Sequence, residues 1–391
     1  MIILSIMITI FSPTDFDFNI GAYQRIRATV ARRIDPSRFR TIGFSSRPGW
    51  PPNVEVIDPN MPRKGLWRLL PQQRIMNKIN SARFGSGLMG IAKSFALPET
   101  NFISMETWKA RTTTFELVAR ASGARADIYH SVARPECVWI WNVLKLRNPD
   151  IRQIITFYGY FNQEPWRRCA RILTAGAKIA TAVSRTTAKE VQDDLGVECR
   201  VIHDGVDTDL YRPRNHFNER KRILYVGSLQ KRKRPDFVVK MAREYSNCDF
   251  TIHGGGDLYT ELKHMARGLE NFTIQDRKLS FDELSQLYSS ADIFLFPSIH
   301  EGFSNVMLEA AASGVPMICS NATSFPEFVE EGKNGFLCDT FEQMVARLRY
   351  LIENDASRIE MGRLAREKAL EFDWSRVVPE YEKLFEDVFN M

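Results

Sequence analysis

No apolar run in this sequence approaches the roughly 20 residues that a membrane-spanning helix needs, and no CxxC pair occurs in it. The six cysteines, Cys137, Cys169, Cys199, Cys248, Cys319 and Cys338, are scattered. That distribution fits reduced thiols and excludes a disulfide framework or a cysteine zinc site. The opening MIILSIMITIF lacks a basic flank and a cleavage-type ending, so it reads as a first buried strand and not as a signal peptide. Internal repeats, low-complexity tracts and nucleic-acid modules are also lacking. A soluble or membrane-peripheral cytoplasmic protein is expected.

What is present is enough for two hydrophobic cores: 391 residues, 44% of them hydrophobic. The net charge of +6 is uneven, with 14 Lys/Arg against 6 Asp/Glu in residues 1–100. A basic first part predicts an anionic partner. Residues 62–93 interleave basic residues with Trp67, Leu69, Leu70, Ile75, Met76 and Ile79. Such a pattern suits first an amphipathic helix packed on its own domain, and second an anionic membrane surface.

The chain is organised around residues 297–316, PSIHEGFSNVMLEAAASGVP. The preceding ADIFLF has no polar alternation and predicts a strand buried on both faces. Ser304 is placed to cap a helix over NVMLEAAAS, Gly314 to stop it, and VPMICS to form the next strand. In a parallel sheet, polar groups beyond a strand's carboxyl end and at a helix start sit where ligands bind. Glu301 and Glu309, eight positions apart, span roughly 12 Å on helical rise. One carboxylate can accept from sugar hydroxyls and the other from ribose hydroxyls, with a diphosphate between them facing the N–H groups near Ser304, Asn305 and Val306.

The pattern PS-x-x-EGF-x-N-x-x-LEA-x-A-x-G-x-P resembles the signature of the retaining family-4 glycosyltransferases. The resemblance is strongest over residues 198–385. It implies the α/β GT-B fold, two facing Rossmann-like domains with parallel sheets and a deep interdomain cleft. The expected divisions are an acceptor-binding domain over 1–203, a nucleotide-sugar-binding domain over 204–375, and a helix over 376–391 crossing back to the first.

The same resemblance assigns site residues. RILYVGSLQKRKRP gives a strand and glycine loop in which Gly227 and Lys233 match the family's phosphate-contacting pattern. Ser228 stands where that pattern has an arginine, leaving Lys231, Arg232 or Arg234 to compensate. Phe303, Ser304, Asn305 and Glu309 are implied on the donor side, with the main chain near Leu279 pairing with the base. Lys233 and Glu301 are implied as the catalytic pair. Asp17, Gly21, His130 and Tyr158 are acceptor-side candidates. Tyr158 replaces a histidine and carries a proton less readily near neutral pH. For a lone histidine such as His130, a core role competes. Asp15-Phe16-Asp17 is a DxD, read as loop and not as a metal site.

The function implied is transfer of a sugar from a nucleotide-sugar donor to a carbohydrate, lipid-linked or other hydroxyl acceptor. Configuration is expected to be retained, with no metal or other cofactor and no nucleic-acid partner. A sugar-nucleotide epimerase or phosphorylase of the same fold, or a catalytically degenerate sugar-nucleotide binder, is the alternative.

Overall fold

The computed structural model describes residues 7–15, 22–44, 50–57, 126–160, 166–213 and 218–391. Its first sheet contains β1 (Ile8–Asp15), β2 (Phe39–Phe44), β3 (Val54–Ile57), β4 (Ile128–Val132), β5 (Arg152–Phe157), β6 (Ile179–Ala182) and β7 (Cys199–Val201). The strands lie in the order β3-β2-β1-β4-β5-β6-β7. Helix α1 (Ala22–Arg33) follows β1, α2 (Pro135–Arg147) follows β4, α3 (Trp166–Gly176) follows β5 and α4 (Arg185–Leu195) follows β6.

The second sheet repeats the plan with β8 (Arg222–Val226), β9 (Asp249–His253), β10 (Phe272–Gln275), β11 (Ile293–Phe296), β12 (Met317–Ser320) and β13 (Gly335–Cys338). Their order is β10-β9-β8-β11-β12-β13. Helices α5 (Asp236–Glu244), α6 (Tyr259–Met265), α7 (Phe281–Ser289), α8 (Asn305–Ala312), α9 (Phe341–Glu353), α10 (Asp355–Leu370) and α11 (Trp374–Phe389) complete it. Every strand pair whose register is described is parallel.

In each sheet the chain starts in the middle, runs to one edge, and returns beside its first strand. The direction therefore reverses between β1 and β4, and again between β8 and β11. Ligands of such sheets bind outside the carboxyl ends of the strands at that reversal. The loops after β8 and β11, residues 227–233 and 297–304, are the two that meet there in the second sheet.

The central unit forms as its composition predicts. All four residues of β11 are buried, and so are all four of β12. Ser304 takes the N-cap position of α8, though its side chain makes no capping hydrogen bond. Gly314 ends the unit's helix at φ 75°, the left-handed conformation that glycine adopts without strain. Met307, Leu308, Ala310, Ala311 and Ala312 are sealed in the core, so α8 is fixed by packing on nearly all sides. Truncating Leu308 to alanine there costs about 2–5 kcal/mol.

Packing divides the chain into two units. One comprises residues 1–156, 161–180 and 382–391, and the other residues 157–160 and 181–381. The second unit thus begins upstream of residue 204, where the resemblance divides the domains. Glu327 is one cause: its carboxylate accepts from the N–H groups of Arg185 and Thr186, each at 2.8 Å, and from the Thr186 hydroxyl at 2.9 Å. A carboxylate at the start of α4 complements the helix dipole. Helix α11 is shared, since residues up to Tyr381 group with the second unit and those from Glu382 with the first. No helix among the described residues is long and apolar enough to cross a membrane.

Candidate functional site

The loop after β8 is shaped by glycines behind it. Gly227 N–H donates to the His253 carbonyl at 3.0 Å, and Leu229 N–H to the Gly255 carbonyl at 2.9 Å. A Cβ on Gly254 would lie 1.9 Å from the Gly227 oxygen, so this stretch of the Gly254-Gly255-Gly256 triplet exists to let two main chains touch. Ser228 is exposed, and its carbonyl accepts from the Tyr225 hydroxyl at 3.1 Å. The loop closes in a 3-10 turn over Lys231–Lys233, terminated by Arg234 at φ 46°.

That turn delivers two cations to one carboxylate. Lys233 Nζ lies 2.8 Å from Glu301 Oε1, and Arg232 Nη1 lies 3.2 Å from the same oxygen. Ser298 Oγ donates to it as well, at 2.7 Å. No hydrogen bond or ion pair engages Oε2 among the described residues. Lys233 is buried, its ammonium 5.0 Å from the centre of the Phe296 ring, a cation–π distance. Arg232 Nη1 also donates to the His300 carbonyl, and its own carbonyl accepts from Ile299 N–H at 2.9 Å, tying the two loops together. Glu301 N–H donates to Thr323 Oγ1 at 3.2 Å. Burial, and then the Glu301 charge, push the Tyr225 phenol upward.

Glu309 is buried on α8, and its Oε2 accepts from the Tyr288 hydroxyl at 2.9 Å. Tyr288 reaches it from α7, a helix locked by a reciprocal cap between Ser280 and Glu283. At the start of α8 the N–H groups of Asn305 and Val306 have no recorded acceptor among the described residues. Asn305 Oδ1 is buried without a hydrogen-bond partner there.

The remaining candidates fall elsewhere. Phe303 is buried in an aromatic cluster, 4.8 Å from His203 and 5.6 Å from Phe372 between ring centres, and so serves the core. Gly302 is required by close approach, since a Cβ would sit 2.2 Å from the Tyr158 carbonyl oxygen. Tyr158 itself is half-buried against the second unit's core. Leu279 lines a cavity of about 760 Å³ with His253, Gln275, Arg277 and Gln286, which none of Lys233, Glu301 or Glu309 reaches.

His130 lies in the first unit, its Nε2 paired with Thr156 Oγ1 at 2.7 Å and its ring edge-on to Phe385. Burial, and then the neighbouring Arg27 charge, hold its imidazolium well below the ordinary value. Asp17, Gly21 and residues 62–93 lie outside the described residues. Among the described residues no three or more His, Cys, Asp or Glu side chains are grouped to hold a metal.

Arg232, Ser298 and Tyr288 were not singled out as ligand-site residues by spacing, apart from Arg232 as a substitute cation. Ser298 did stand in the quoted motif, three residues before Glu301. Tyr288 left no signal, because it meets Glu309 only through the fold, from a different helix.

Comparison with known proteins gives two family matches. The model described as Glycosyl transferases group 1 matches residues 207–368, and Glycosyltransferase Family 4 matches residues 96–210. Sulfoquinovosyl transferase SQD2 of Arabidopsis thaliana is 28% identical over 193 residues, 45% of this chain and 38% of its own length. D-inositol 3-phosphate glycosyltransferase of Corynebacterium aurimucosum is 29% identical over 217 residues, 49% of this chain and 52% of its own. The chain therefore spans about half or less of these relatives. Among solved structures, sucrose-phosphate synthase from Thermosynechococcus elongatus superposes with a TM-score of 0.74 at 14% identity, covering 98% of this chain and 99% of that one. Anabaena HepE in complex with UDP-glucose superposes at 0.71 with 15% identity, covering 97% and 99%. At such identities the likeness is one of fold.

Proposed function

This chain belongs to the glycosyltransferases of the family-4 GT-B type, and from that membership we propose that it moves a sugar from a nucleotide-sugar donor to a hydroxyl acceptor with retention of configuration. The observation that carries the reading is the convergence of Lys233, Arg232 and Ser298 on Glu301 at the strand-order reversal of the second sheet. On this reading Lys233 and Arg232 meet the donor diphosphate together with the N–H groups at the start of α8. Glu301 Oε2 takes sugar hydroxyls, and Glu309 takes the ribose.

Negative charge grows on the leaving phosphate as the glycosidic bond breaks, and a buried cation and a helix start stabilise it more than they stabilise the bound donor. Attack comes from the face the phosphate leaves, so no carboxylate nucleophile is required. Two cations and a helix start supply the counter-charge without a divalent metal. The +8 balance of residues 1–100 favours an acceptor, glycan or lipid-linked, that carries negative charge.

A thermal-shift screen of UDP-, GDP- and ADP-sugars identifies the donor through ligand-linked stabilisation. Release of nucleoside diphosphate in the presence of acceptor, with proton NMR of the new linkage, then tests transfer and retention together. An inverted product removes the front-face mechanism. Nucleotide-sugar conversion without acceptor selects the epimerase reading, and donor binding without turnover the degenerate one, which the uncharged Ser228 favours. A protein that no nucleotide sugar stabilises defeats all three.

A further inference from the structure

The charge arrangement at Glu301 carries a consequence beyond donor binding. Two cations, Lys233 and Arg232, share one oxygen of one carboxylate, while the other oxygen has no recorded partner among the described residues. The Lys233 and Glu301 side chains are only 11% and 12% exposed, whereas Arg232 is 35% exposed. In so shielded a place a charge that loses its partner is strongly disfavoured. Any diphosphate that takes these cations must therefore compete with Glu301 for them.

The main chain holds the competitors in place under strain. Among the described residues only Arg234 and Thr323 have left-handed φ without being glycine, both at 46°. Arg234 ends the turn that presents Arg232 and Lys233, and Thr323 supplies the hydroxyl that fixes the Glu301 N–H. A β-branched residue in that conformation is an outlier, and such outliers persist where the surroundings enforce them. Both strained residues thus bracket the same ion cluster.

Resting on the glycosyltransferase reading, we propose that Glu301 is the internal counter-anion of Lys233 and Arg232, and that it makes the site discriminate a sugar-bearing donor from the spent nucleoside diphosphate. The diphosphate of a nucleotide sugar takes over the two cations, and the hydroxyls of its sugar replace them on the Glu301 carboxylate. A nucleoside diphosphate achieves only the first exchange. It leaves Glu301 with the Ser298 hydroxyl alone, a shielded carboxylate stripped of counter-charge. The product of transfer is thereby held less tightly than the donor. Arg232 supplies the second cation that Ser228 does not.

The test is calorimetric titration of the full chain and of Glu301→Gln with inorganic pyrophosphate, and with UDP, GDP and ADP and their sugar conjugates. Glu301→Gln removes the competing charge while preserving shape. Pyrophosphate and nucleoside diphosphate then bind about tenfold tighter, while the nucleotide sugar binds no tighter or more weakly. Pyrophosphate affinity that is unchanged or reduced in Glu301→Gln overturns the proposal. Arg232→Gln, at the more exposed cation, keeps the test open should Glu301→Gln not fold. It weakens pyrophosphate about tenfold, against a much smaller loss in Lys231→Gln, and equal losses in the two remove Arg232 from the cluster. If pyrophosphate tightens but no nucleotide sugar binds the parent, the ion exchange stands and the transferase reading falls. If nucleotide sugars turn over while pyrophosphate affinity does not rise, the reverse holds.

Discussion

A buried arginine in the first unit and a lysine–arginine pair in the second sit beside the strand-order reversals of the two sheets, and they are wired differently. In the first sheet, the described register between β1 and β4 ends at Phe11 opposite Tyr129. Past that point Arg27, buried on α1, donates to the carbonyls of His130 and Ser131 at 2.6 and 2.7 Å. Its guanidinium thus meets two main-chain acceptors on β4. In the second sheet, Lys233 and Arg232 reach a carboxylate whose second oxygen has no hydrogen bond or ion pair among the described residues. The first arrangement ties a helix to a strand, and the second is the one read above as a ligand site. Burial and charge alone do not separate a structural cluster from a binding one; the partners' remaining valence does.

The largest effect expected from breaking this contrast is at Lys233. Lys233→Ala should lower turnover on the order of 10²–10³-fold, with a smaller loss of donor affinity, because the leaving phosphate carries more charge in the transition state than in the ground state. Steady-state rates against donor titration separate the two quantities. Equal losses in kcat and affinity would make Lys233 a binding residue only. Arg27→Met should do the opposite. It removes a charged donor from two buried carbonyls, a loss of about 1–3 kcal/mol, so chemical denaturation shows a destabilised protein while donor affinity holds. Donor affinity lost with stability intact would dissolve the contrast.

Glu309→Ala sharpens the comparison on the ligand side. Loss of a charged hydrogen bond is worth about 1.5–3 kcal/mol, so donor affinity should drop roughly ten- to a hundredfold in calorimetry. Tyr288→Phe should produce a smaller loss of the same sign, because it only loosens the carboxylate that Tyr288 holds. If Tyr288→Phe matched Glu309→Ala, Glu309 would be a core anchor for α7 and not a ribose contact.

The comparison also has a pH signature on the structural side. His130 is held well below its ordinary value by burial first and the Arg27 charge second. An unfolded histidine takes up its proton near pH 6.5, whereas the folded one does not, so the unfolded state binds more protons below that pH. Stability is therefore full above about pH 6.5 and declines as pH falls below it, by up to about 1.4 kcal/mol per pH unit. His253, lowered by burial and then by Arg277, acts in the same direction. Thermal melts between pH 7.5 and 5.5 should show His130→Gln with a shallower decline than the parent. An unchanged slope would mean that other groups set it.

The fold was legible where burial dictates sequence. ADIFLF and VPMICS read as buried strands because a parallel sheet covered on both faces tolerates no polar alternation. Gly314 marked the helix end because the left-handed turn there favours glycine. The loop after β8 was legible through Gly227 and, six residues on, Lys233, the two positions at which it follows the family pattern. Pairings across the fold were not legible. Arg232 lies 69 positions from Glu301, and Tyr288 lies 21 from Glu309, and neither separation has a period. The unit boundary escaped for the same reason. Glu327 ties α4 to the second unit from more than 140 positions away.

The smallest effect expected is none, on adding EDTA. A diphosphate needs counter-charge, and a site can supply it with a divalent ion or with its own residues. Here the turn after β8 brings one buried ammonium and one guanidinium to the same point, and α8 opens beside it with N–H groups free of acceptors among the described residues. A helix start carries roughly half a positive charge, and on the proposed reading this and the two cations meet the diphosphate without a metal. Chelation should therefore leave the initial rate within experimental scatter, with donor affinity equally unmoved. A rate that collapses in EDTA and returns with magnesium or manganese would place essential charge elsewhere. Asp15 and Asp17 of the first region would then become metal ligands, and the region read as structural would be the one that holds the phosphate.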